Sequence, residues 1–367
     1  MRHPAIWAFK EKIVAYKGVI EDFEACVAMR RGTRSPVFAL GLEFDMFTGG
    51  VSCEESRLDT EKTVRATIQA IERFGYDWAI VFPDDYIEFE PLGLKMNYDE
   101  YHPAMPREYL PMDRATLSGF RIPDAAKEMR LPIHLEMIRS LKKALGDTVC
   151  VCGRIAAPFS ALALVYGVDT LLTKLLEDPQ LVRDNARFFV EHQAAFGKAQ
   201  FEAGADLLWL GDCVAASNFI CVDHYSRFAF EPAAEVASAL SIPRKHIIYH
   251  AAETALPHLA RELQLPVGAV NAGEGVSIAR IKAELHPKCC LMGNLDPRIL
   301  RDGTPTQISV ETERMVHENL TGGGYVFNTG EGVMPNSPPQ NVEAMMKAAK
   351  TALEAELGEL RNPSPFG

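Results

Sequence analysis

The sequence predicts an α/β fold: a single (β/α)8 barrel of the TIM type. Eight short apolar runs rich in strand-forming residues recur along the chain, and segments with helical spacing of apolar residues lie between them. Alternating strands and helices favour a parallel sheet covered by helices. The chain has 367 residues, which suits such a barrel with insertions. A doubly wound open sheet is the competing topology, but it more commonly uses about five to seven strands.

The predicted strands are spread over most of the chain. In order they are PVFALG (36–41), DWAIVFP (77–83), VCVCGR (149–154), ADLLWLGD (205–212), KHIIYH (245–250), PVGAVNAG (266–273), CCLMGNLD (289–296) and GYVFNTG (324–330). Intervening segments such as DTEKTVRATIQAIERFG start with acidic residues and end at glycine, as helix capping predicts. We expect a helical extension over about residues 1–30. No linker composition divides the chain, so we expect one domain over residues 1–367.

Composition restricts the class of partner. The chain is 47% hydrophobic and 24% charged, so it can bury a full core. Its net charge of -11 offers no basic stripe for nucleic acid or an anionic membrane. No apolar run approaches the length of about eighteen residues that spans a bilayer, and charges interrupt the N-terminal segment, unlike in a secretory signal. We therefore expect a cytoplasmic protein that acts on a small molecule or a protein partner.

The eight cysteines mostly lie in apolar, strand-like runs without the spacing of a metal knuckle. In a reducing compartment such cysteines are mainly small core residues. We therefore expect them to fill the core and not to bind metal.

One connection is much longer than a turn between strand and helix requires. It follows the second predicted strand, from Asp84 to about Pro123, and is rich in proline, tyrosine and methionine. Long ordered loops in compact domains are usually lids or binding segments. We expect it to act as a lid whose aromatic side chains line a pocket, among them Tyr86; packing onto the barrel is the alternative role.

Polar residues gather at the predicted carboxyl ends of the strands, which meet at one mouth of a barrel. They are Glu43, Asp84, Asp85, Arg154, Asp212, His250, Glu253, Asn271, Glu274, Asn294, Asp296, Asn328 and Glu331. Carboxylates dominate this set, which suits proton transfer, cation binding or metal ligation and disfavours a polyanionic substrate.

Several motifs resemble the uroporphyrinogen decarboxylase superfamily. They are GNLDP, the strand end NTGEGVMP followed by PPQNV, GTRSPVFALGLEF, GRIAAPFSALALVYGVDTLLTKLLEDPQLV and GADLLWLGD. The superfamily contains decarboxylases and corrinoid-dependent methyltransferases. The resemblance covers most of the chain and implies a barrel with its site at the strand ends.

Zinc-dependent methylcobamide:thiol methyltransferases of this superfamily carry a His-x-Cys pair at one strand end and a further Cys after the last strand. His250 matches the first ligand, whereas Ala252 and Glu331 stand at the other two positions. The resemblance thus implies that the thiolate-rich zinc site is broken. We expect no metal; His250 and Glu331 are the candidate ligands if one is bound, and zinc stays undecided.

The decarboxylase function is also disfavoured residue by residue. Asp84 matches the family aspartate that binds pyrrole nitrogens, but Leu164 replaces an expected Tyr and Glu331 an expected His. The arginine-rich N-terminal signature is absent. So acidic a chain is poorly suited to a substrate with many carboxylates.

The resemblance therefore implies a corrinoid-dependent methyltransferase. No D-x-H-x-x-G module is present, so a separate corrinoid protein would carry the cobalt. We expect a small methylated donor, preferably an aryl methyl ether. The alternatives are a metal-dependent thiol or amine methyltransferase, a decarboxylase and a non-catalytic ligand-binding barrel.

Roles follow for the strand-end residues. As catalytic candidates we take Glu331, His250, Asp84 and Asp85. As substrate-binding candidates we take Tyr86, Asp212, Asn271, Asn328, Glu253 and Glu43.

Overall fold

The structure, a computed structural model, describes residues 16–81, 84–320 and 322–361, with side chains up to residue 354. The first half of the expected N-terminal extension, residues 1–15, lies outside the described residues, as do residues 82 and 83 of the second predicted strand. The described part of the extension contains helix α1, Val19–Val27.

Parallel strands and helices alternate through most of the described chain. The strands are β1 (Trp78–Ile80), β2 (Met96–Asn97), β3 (Met105–Pro106), β4 (Cys150–Ala156), β5 (Leu207–Gly211), β6 (His246–His250), β7 (Ala269–Asn271), β8 (Cys290–Met292) and β9 (Tyr325–Val326). The helices after α1 are α2 (Leu42–Thr48), α3 (Cys53–Leu58), α4 (Thr60–Phe74), α5 (Arg114–Gly119), α6 (Leu131–Leu145), α7 (Pro158–Tyr166), α8 (Val168–Glu177), α9 (Pro179–Ala203), α10 (Val222–His224), α11 (Glu231–Ala239), α12 (Leu256–Glu262), α13 (Ile278–Leu285), α14 (Pro297–Asp302), α15 (Pro305–Asn319) and α16 (Pro339–Arg361). A π-helical segment, Tyr225–Phe230, joins α10 to α11.

Seven strands form one curled parallel sheet in the order β1-β4-β5-β6-β7-β8-β9, and β2 pairs with β3 in a small antiparallel sheet. The α/β class and the parallel sheet are confirmed, and the architecture is consistent with a TIM-like barrel. The run predicted as the first strand forms only one bridge, between Val37 and Phe327 beyond β9. On its other side the carbonyl of Val37 accepts a hydrogen bond from the backbone of Asp77, next to β1. This segment thus lies between the two edges of the sheet, in place of an eighth regular strand.

The core lies inside the sheet and between the sheet and its helices. Strand β4 is buried along almost its whole length, as expected for a parallel strand covered on both faces. The rings of Phe38 and Trp78 stack with their centroids 4.5 Å apart. Within the described residues, no single helix has the length and apolar composition to cross a membrane; α7 and α8 meet that criterion only as a pair bent by 112°.

The long connection after β1 is anchored by a buried group of charges, which we call the ionic cluster: Arg57, Asp84, Glu90 and Arg130. An oxygen of Asp84 lies 2.9 Å from a nitrogen of Arg57 and 2.8 Å from one of Arg130. Arg130 also donates to Glu90 at 3.0 Å. The two guanidinium groups and the two carboxylates offset one another's charge in the low-dielectric interior. The start of the loop is therefore fixed to α3 and to the segment before α6.

Candidate active site

A cavity of about 240 Å³ opens at the carboxyl ends of β4, β5 and β6. Its lining residues are Leu40, Leu42, Ile80, Asp85, Arg154, Ala156, Ser160, Leu164, Trp209, Gly211, Cys213, Val214, His250 and Glu331. Strand ends converge here because all strands of the sheet run in one direction. The walls are mostly apolar, and the charged side chains are gathered in two places.

The first charged place joins the ends of three strands. His250 is the last residue of β6, Cys213 follows β5, and Glu331 follows β9. His250 Nε2 lies 3.0 Å from Glu331 Oε1, and Cys213 Sγ lies 3.9 Å from the same oxygen. Gly211 pairs with His250 across the sheet and lines the cavity beside Trp209, whose Nε1 would lie 3.7 Å from a Cβ at this position. The three functional side chains therefore converge at one end of the cavity.

Histidine and glutamate influence each other's ionisation here. Burial disfavours the charged imidazole, but the charges of Glu331 and Cys213 outweigh burial and raise the pKa of His250 well above its ordinary value. Burial likewise disfavours the Glu331 carboxylate, yet its contact with His250 prevails and lowers the Glu331 pKa. Both pKa shifts favour an ion pair of the His250 imidazolium and the Glu331 carboxylate. This pair holds a proton between His250 Nε2 and Glu331 Oε1.

A pair of buried amides holds the imidazole from behind. Asn271 Nδ2 lies 3.2 Å from His250 Nδ1, and Asn328 donates to Asn271 Oδ1 at 2.9 Å. Neither asparagine lines the cavity. Both were expected to bind substrate; in the structure Asn271 contacts the imidazole of His250 and Asn328 contacts Asn271.

Cys213, His250 and Glu331 also have the chemistry of a metal site. One ligand atom from each lies within 4.8 Å of the other two. Thiolate, imidazole and carboxylate are the ligands that Zn²⁺ takes, and catalytic zinc commonly has three protein ligands. The donor set therefore fits a zinc ion, with the sulfur ligand supplied by Cys213 after β5.

Sequence reasoning did not single out Cys213. Six of the eight cysteines are buried, as expected, but Cys213 and Cys221 are exposed. Its position could have indicated a role in the site. Cys213 comes two residues after β5, so it lies at the carboxyl end of a strand like the other candidate site residues.

The second charged place is a pair on the other side of the cavity. A guanidinium nitrogen of Arg154 on β4 donates to Asp85, and another donates to the carbonyl oxygen of Asp84 at 3.2 Å. Trp209 lies between the two charged places, and its ring centroid is 4.7 Å from that of His250. The cavity thus has a flat apolar wall with polar groups at both ends.

Four expected site residues have other partners. Asp84 belongs to the ionic cluster. Buried Glu253 accepts hydrogen bonds from the backbone and hydroxyl of Ser217 at 2.6 and 2.7 Å, and from two following backbone amides. Buried Asp212 accepts from Ser160 and Tyr249; burial, only partly offset by these bonds, raises its pKa to about 6. Tyr86 is buried, with Tyr109 as a neighbour. None of the four lines the cavity.

Glu43 lies on α2 near Asp85 and Arg154 but is not a lining residue either. Burial is the main cause that raises its pKa. Of the long connection, only Asp85 reaches the cavity wall. Among its aromatic residues, Tyr98 stacks on Arg57 and Tyr101 is largely exposed. The structure therefore gives no support to a wall of lid tyrosines.

Comparison with solved structures supports the fold. A methyltransferase from Methanosarcina mazei superposes with a TM-score of 0.81 at 20% identity, covering 91% of this chain and 98% of that one. A B12-independent methionine synthase from Shewanella gives a TM-score of 0.54 at 12% identity, covering 82% of this chain and 89% of that one.

Comparison of sequences shows the family. Uroporphyrinogen decarboxylase of Chlorobaculum tepidum is 27% identical over 305 residues, covering 79% of this chain and 84% of the relative. The Rickettsia felis enzyme of the same name is 24% identical over 293 residues, covering 78% and 82%. The family model described as uroporphyrinogen decarboxylase (URO-D) matches residues 21–352. This protein belongs to the uroporphyrinogen decarboxylase family.

Proposed function

We propose that this protein is a methyltransferase that moves a methyl group between a small methylated donor and a separate corrinoid protein. The observation that carries the proposal is the cavity of about 240 Å³, which ends at Cys213, His250 and Glu331. Sites for drug-sized ligands occupy about 300–1,000 Å³, so this one suits a molecule of about one ring and not a tetrapyrrole. The structural neighbour named a methyltransferase supports the same class of reaction.

Decarboxylation of a porphyrinogen is disfavoured although the curated relatives carry that name. Asp84, the counterpart of the pyrrole-binding aspartate, forms ion pairs with the two arginines of the ionic cluster. Leu164 and Glu331 line the cavity where the resemblance leads one to expect Tyr and His. A different reacting group is therefore expected in the same fold.

The preferred donor is an aryl methyl ether. Leu40, Leu42, Ile80 and Leu164 give the cavity aliphatic walls, and Trp209 adds a flat face on which an aromatic ring can stack. This support comes from the barrel strands and helices and not from the tyrosines of the long connection. The ether oxygen would lie toward Glu331 and the methyl group toward the solvent side, where the carrier protein approaches.

During transfer, the bond between the methyl carbon and the ether oxygen breaks, a bond from that carbon to the acceptor forms, and the oxygen takes up a proton. The His250–Glu331 pair can supply this proton, because its nitrogen and oxygen are 3.0 Å apart. A positioned general acid typically contributes about 10²- to 10⁴-fold to the rate. Asp85 is the remaining acid on the cavity wall.

A metal-dependent methyltransferase is the second candidate, favoured by the convergence of Cys213 with His250 and Glu331. Those three residues would hold a zinc ion, which when bound polarises an oxygen or activates a thiol as a Lewis acid. In that case the same residues serve as ligands, and the proton donor has to be sought at Asp85.

The test of function is methyl transfer from methoxylated aromatic compounds to a Co(I) corrinoid carrier, followed by cobalt absorbance and release of the phenol. We expect Glu331→Gln to fold normally and to lower the transfer rate by roughly one to four orders of magnitude, because it cannot ionise. His250→Ala should also lower the rate. The double variant should lose less than the product of the two single losses, because the residues act together. Wild-type rates in Glu331→Gln across pH would contradict its catalytic role.

Metal content separates the two candidates. A proton-transfer site predicts substoichiometric zinc in purified protein and full activity after chelation. Zinc near one equivalent that is lost in Cys213→Ala would support the metal-dependent candidate. Cys221→Ala is the matched control, since Cys221 is also exposed but lies outside the three-residue cluster.

A further inference from the structure

The loop after β5 carries one of the three clustered side chains of the site. We call residues 213–221 the cysteine loop. Near its start, the backbone of Val214 donates to Ser160 Oγ on α7 at 3.2 Å. Near its end, the carbonyl oxygen of Ile220 lies 3.0 Å from His258 Nε2 on α12. The loop is therefore attached to a neighbouring helix at each end.

Buried Glu253 holds the middle of the cysteine loop. Its Oε2 accepts a hydrogen bond from the backbone of Ser217 at 2.6 Å. Its Oε1 accepts from the Ser217 hydroxyl at 2.7 Å and from the backbones of Thr254 and Ala255 at 2.7 and 2.6 Å. Such short contacts are typical of hydrogen bonds to an ionised acceptor. One carboxylate thereby joins the cysteine loop to the turn before α12.

The two joined segments carry neighbouring side chains of the site. Ser217 follows Cys213 by four residues, and Glu253 follows His250 by three. The bond between Glu253 and Ser217 is therefore a bridge between the segment with the thiol and the segment with the imidazole. One ligand atom from each of these two side chains lies within 4.8 Å of the other. A misplacement of about 1 Å between groups that act together can cost about 100-fold in rate.

We propose that Glu253 is a positioning residue: it holds the cysteine loop against the connection after β6, so that Cys213 stays within reach of His250 and Glu331. Glu253 does not line the cavity, and it acts through Cys213. This inference rests on the proposed function, which places the three clustered side chains at the reacting centre.

Glu253→Gln cuts the bridge selectively, because an amide has one acceptor oxygen where the carboxylate has two. If the amide oxygen stays toward Thr254 and Ala255, the amide nitrogen faces the backbone nitrogen of Ser217, and two donors meet. The opposite orientation would turn the nitrogen toward two backbone donors, so the first orientation is favoured. The variant therefore keeps the turn before α12 and loses the backbone bond to the cysteine loop.

Cadmium titration tests the proposal without a corrinoid or a methyl donor. Cd²⁺ bound to a thiolate gives an ultraviolet charge-transfer absorbance, and it favours soft sulfur ligands. All measurements use the Cys221→Ala background, because Cys221 is the other exposed cysteine of the described residues. This background protein should bind Cd²⁺ with the thiolate absorbance, and Cys213→Ala should abolish it. Glu253→Gln should weaken Cd²⁺ binding by about 10- to 100-fold, the usual loss when a residue that orients metal ligands is changed.

Two further variants separate positioning from general destabilisation. Ser217→Ala removes the hydroxyl donor and keeps the backbone bond to Glu253, so it should weaken Cd²⁺ binding less than Glu253→Gln does. Glu262→Gln is the matched control. This carboxyl on α12 is also fully buried, but neither of its oxygens has a hydrogen-bond partner within the part of the chain that the structure describes. Glu262→Gln should therefore bind Cd²⁺ as the background protein does, whatever its free energy of unfolding.

Three results would overturn the positioning role. They are no thiolate absorbance in the background protein, an equal loss of Cd²⁺ affinity in Glu262→Gln, and unchanged affinity in Glu253→Gln, or in Ser217→Ala if the first variant does not fold. Transfer assays keep the proposed function apart. The expected cadmium pattern without methyl transfer to any carrier would refute the function and leave the positioning role standing. Methyl transfer by a protein in which Glu253→Gln leaves Cd²⁺ binding unchanged would do the reverse.

Discussion

Asp45 on α2 is a buried carboxyl group whose ionisation should affect stability. The hydroxyl of Tyr76 donates to it at 3.1 Å. Burial, only partly offset by this bond, raises the pKa of Asp45 to about 7. The folded state therefore keeps a proton that the unfolded chain releases near pH 4. Its contribution to stability is present at low pH and is lost as pH rises from about 4 to about 7.

Asp45→Asn should remove this pH dependence, because an amide does not ionise and can still accept from Tyr76. From pH 5 to pH 8, the free energy of unfolding of the variant should rise relative to the wild type by roughly 3 kcal/mol. Urea unfolding at both pH values measures this change. Asp302→Asn, at an exposed position, should show no such change. Parallel pH profiles of wild type and Asp45→Asn would contradict the prediction.

At the scale of single residues, the sequence predicted location better than role. Position at strand ends was enough to find His250 and Glu331, and both reach the cavity. The same argument selected Asp84 and Glu253, whose partners come from other parts of the chain. Those partners depend on tertiary packing, which strand periodicity does not encode. Cys213 was missed because a cysteine in an apolar run is more often a core residue.

At the scale of elements, the ionic cluster should make the start of the long connection rigid. Arg130→Gln would leave Asp84 and Glu90 with less compensation, and breaking a buried pair typically costs about 3–5 kcal/mol. We expect amide hydrogen exchange over residues 84–98 to increase about 10-fold or more, while β4 and β5 stay protected. Mass spectrometry after exchange measures both regions. Arg121→Gln, at an exposed arginine in the same connection, is the control. An equal increase throughout the protein, or none, would count against local anchoring.

The length of this connection was predictable, but its packing was not. A long segment rich in proline and tyrosine is typical of both lids and packed loops. What decides between them is the arrangement of Arg57 and Arg130, which lie on either side of the segment in sequence and meet it only in the folded chain.

At the scale of the whole molecule, Asp77 joins three distant parts of the chain. It accepts hydrogen bonds from Arg34 at 2.9 Å and from the backbone of Val37 at 2.7 Å, and Lys350 on α16 lies 3.6 Å away. Asp77→Asn should lower the free energy of unfolding by about 3–5 kcal/mol, because Arg34 loses its buried partner. Urea unfolding measures the loss. Asp302→Asn should change stability by less than about 1 kcal/mol. A similarly small loss in Asp77→Asn would show that this junction is dispensable.

The overall architecture was the most predictable level, since alternation of strands and helices along the chain is a property of many residues together. Seven of the eight predicted runs form the sheet. The remaining run, beginning with Pro36, makes one bridge before the chain turns into α2. A proline without an amide proton and a helix starting so soon leave little room for regular pairing.

The candidate site takes Cys213, His250 and Glu331 from three strand ends, of which the first and the last are 118 residues apart along the chain. An unfolded chain cannot present these groups together, so a ligand that bridges them binds the native state alone. Such a ligand adds RT ln(1 + [L]/Kd) to the free energy of unfolding, about 2.7 kcal/mol at a hundredfold excess over Kd. The midpoint of thermal denaturation should therefore rise with ligand concentration, and a panel of metal ions and methoxylated aromatic compounds can be ranked by that rise before any methyl acceptor has been found.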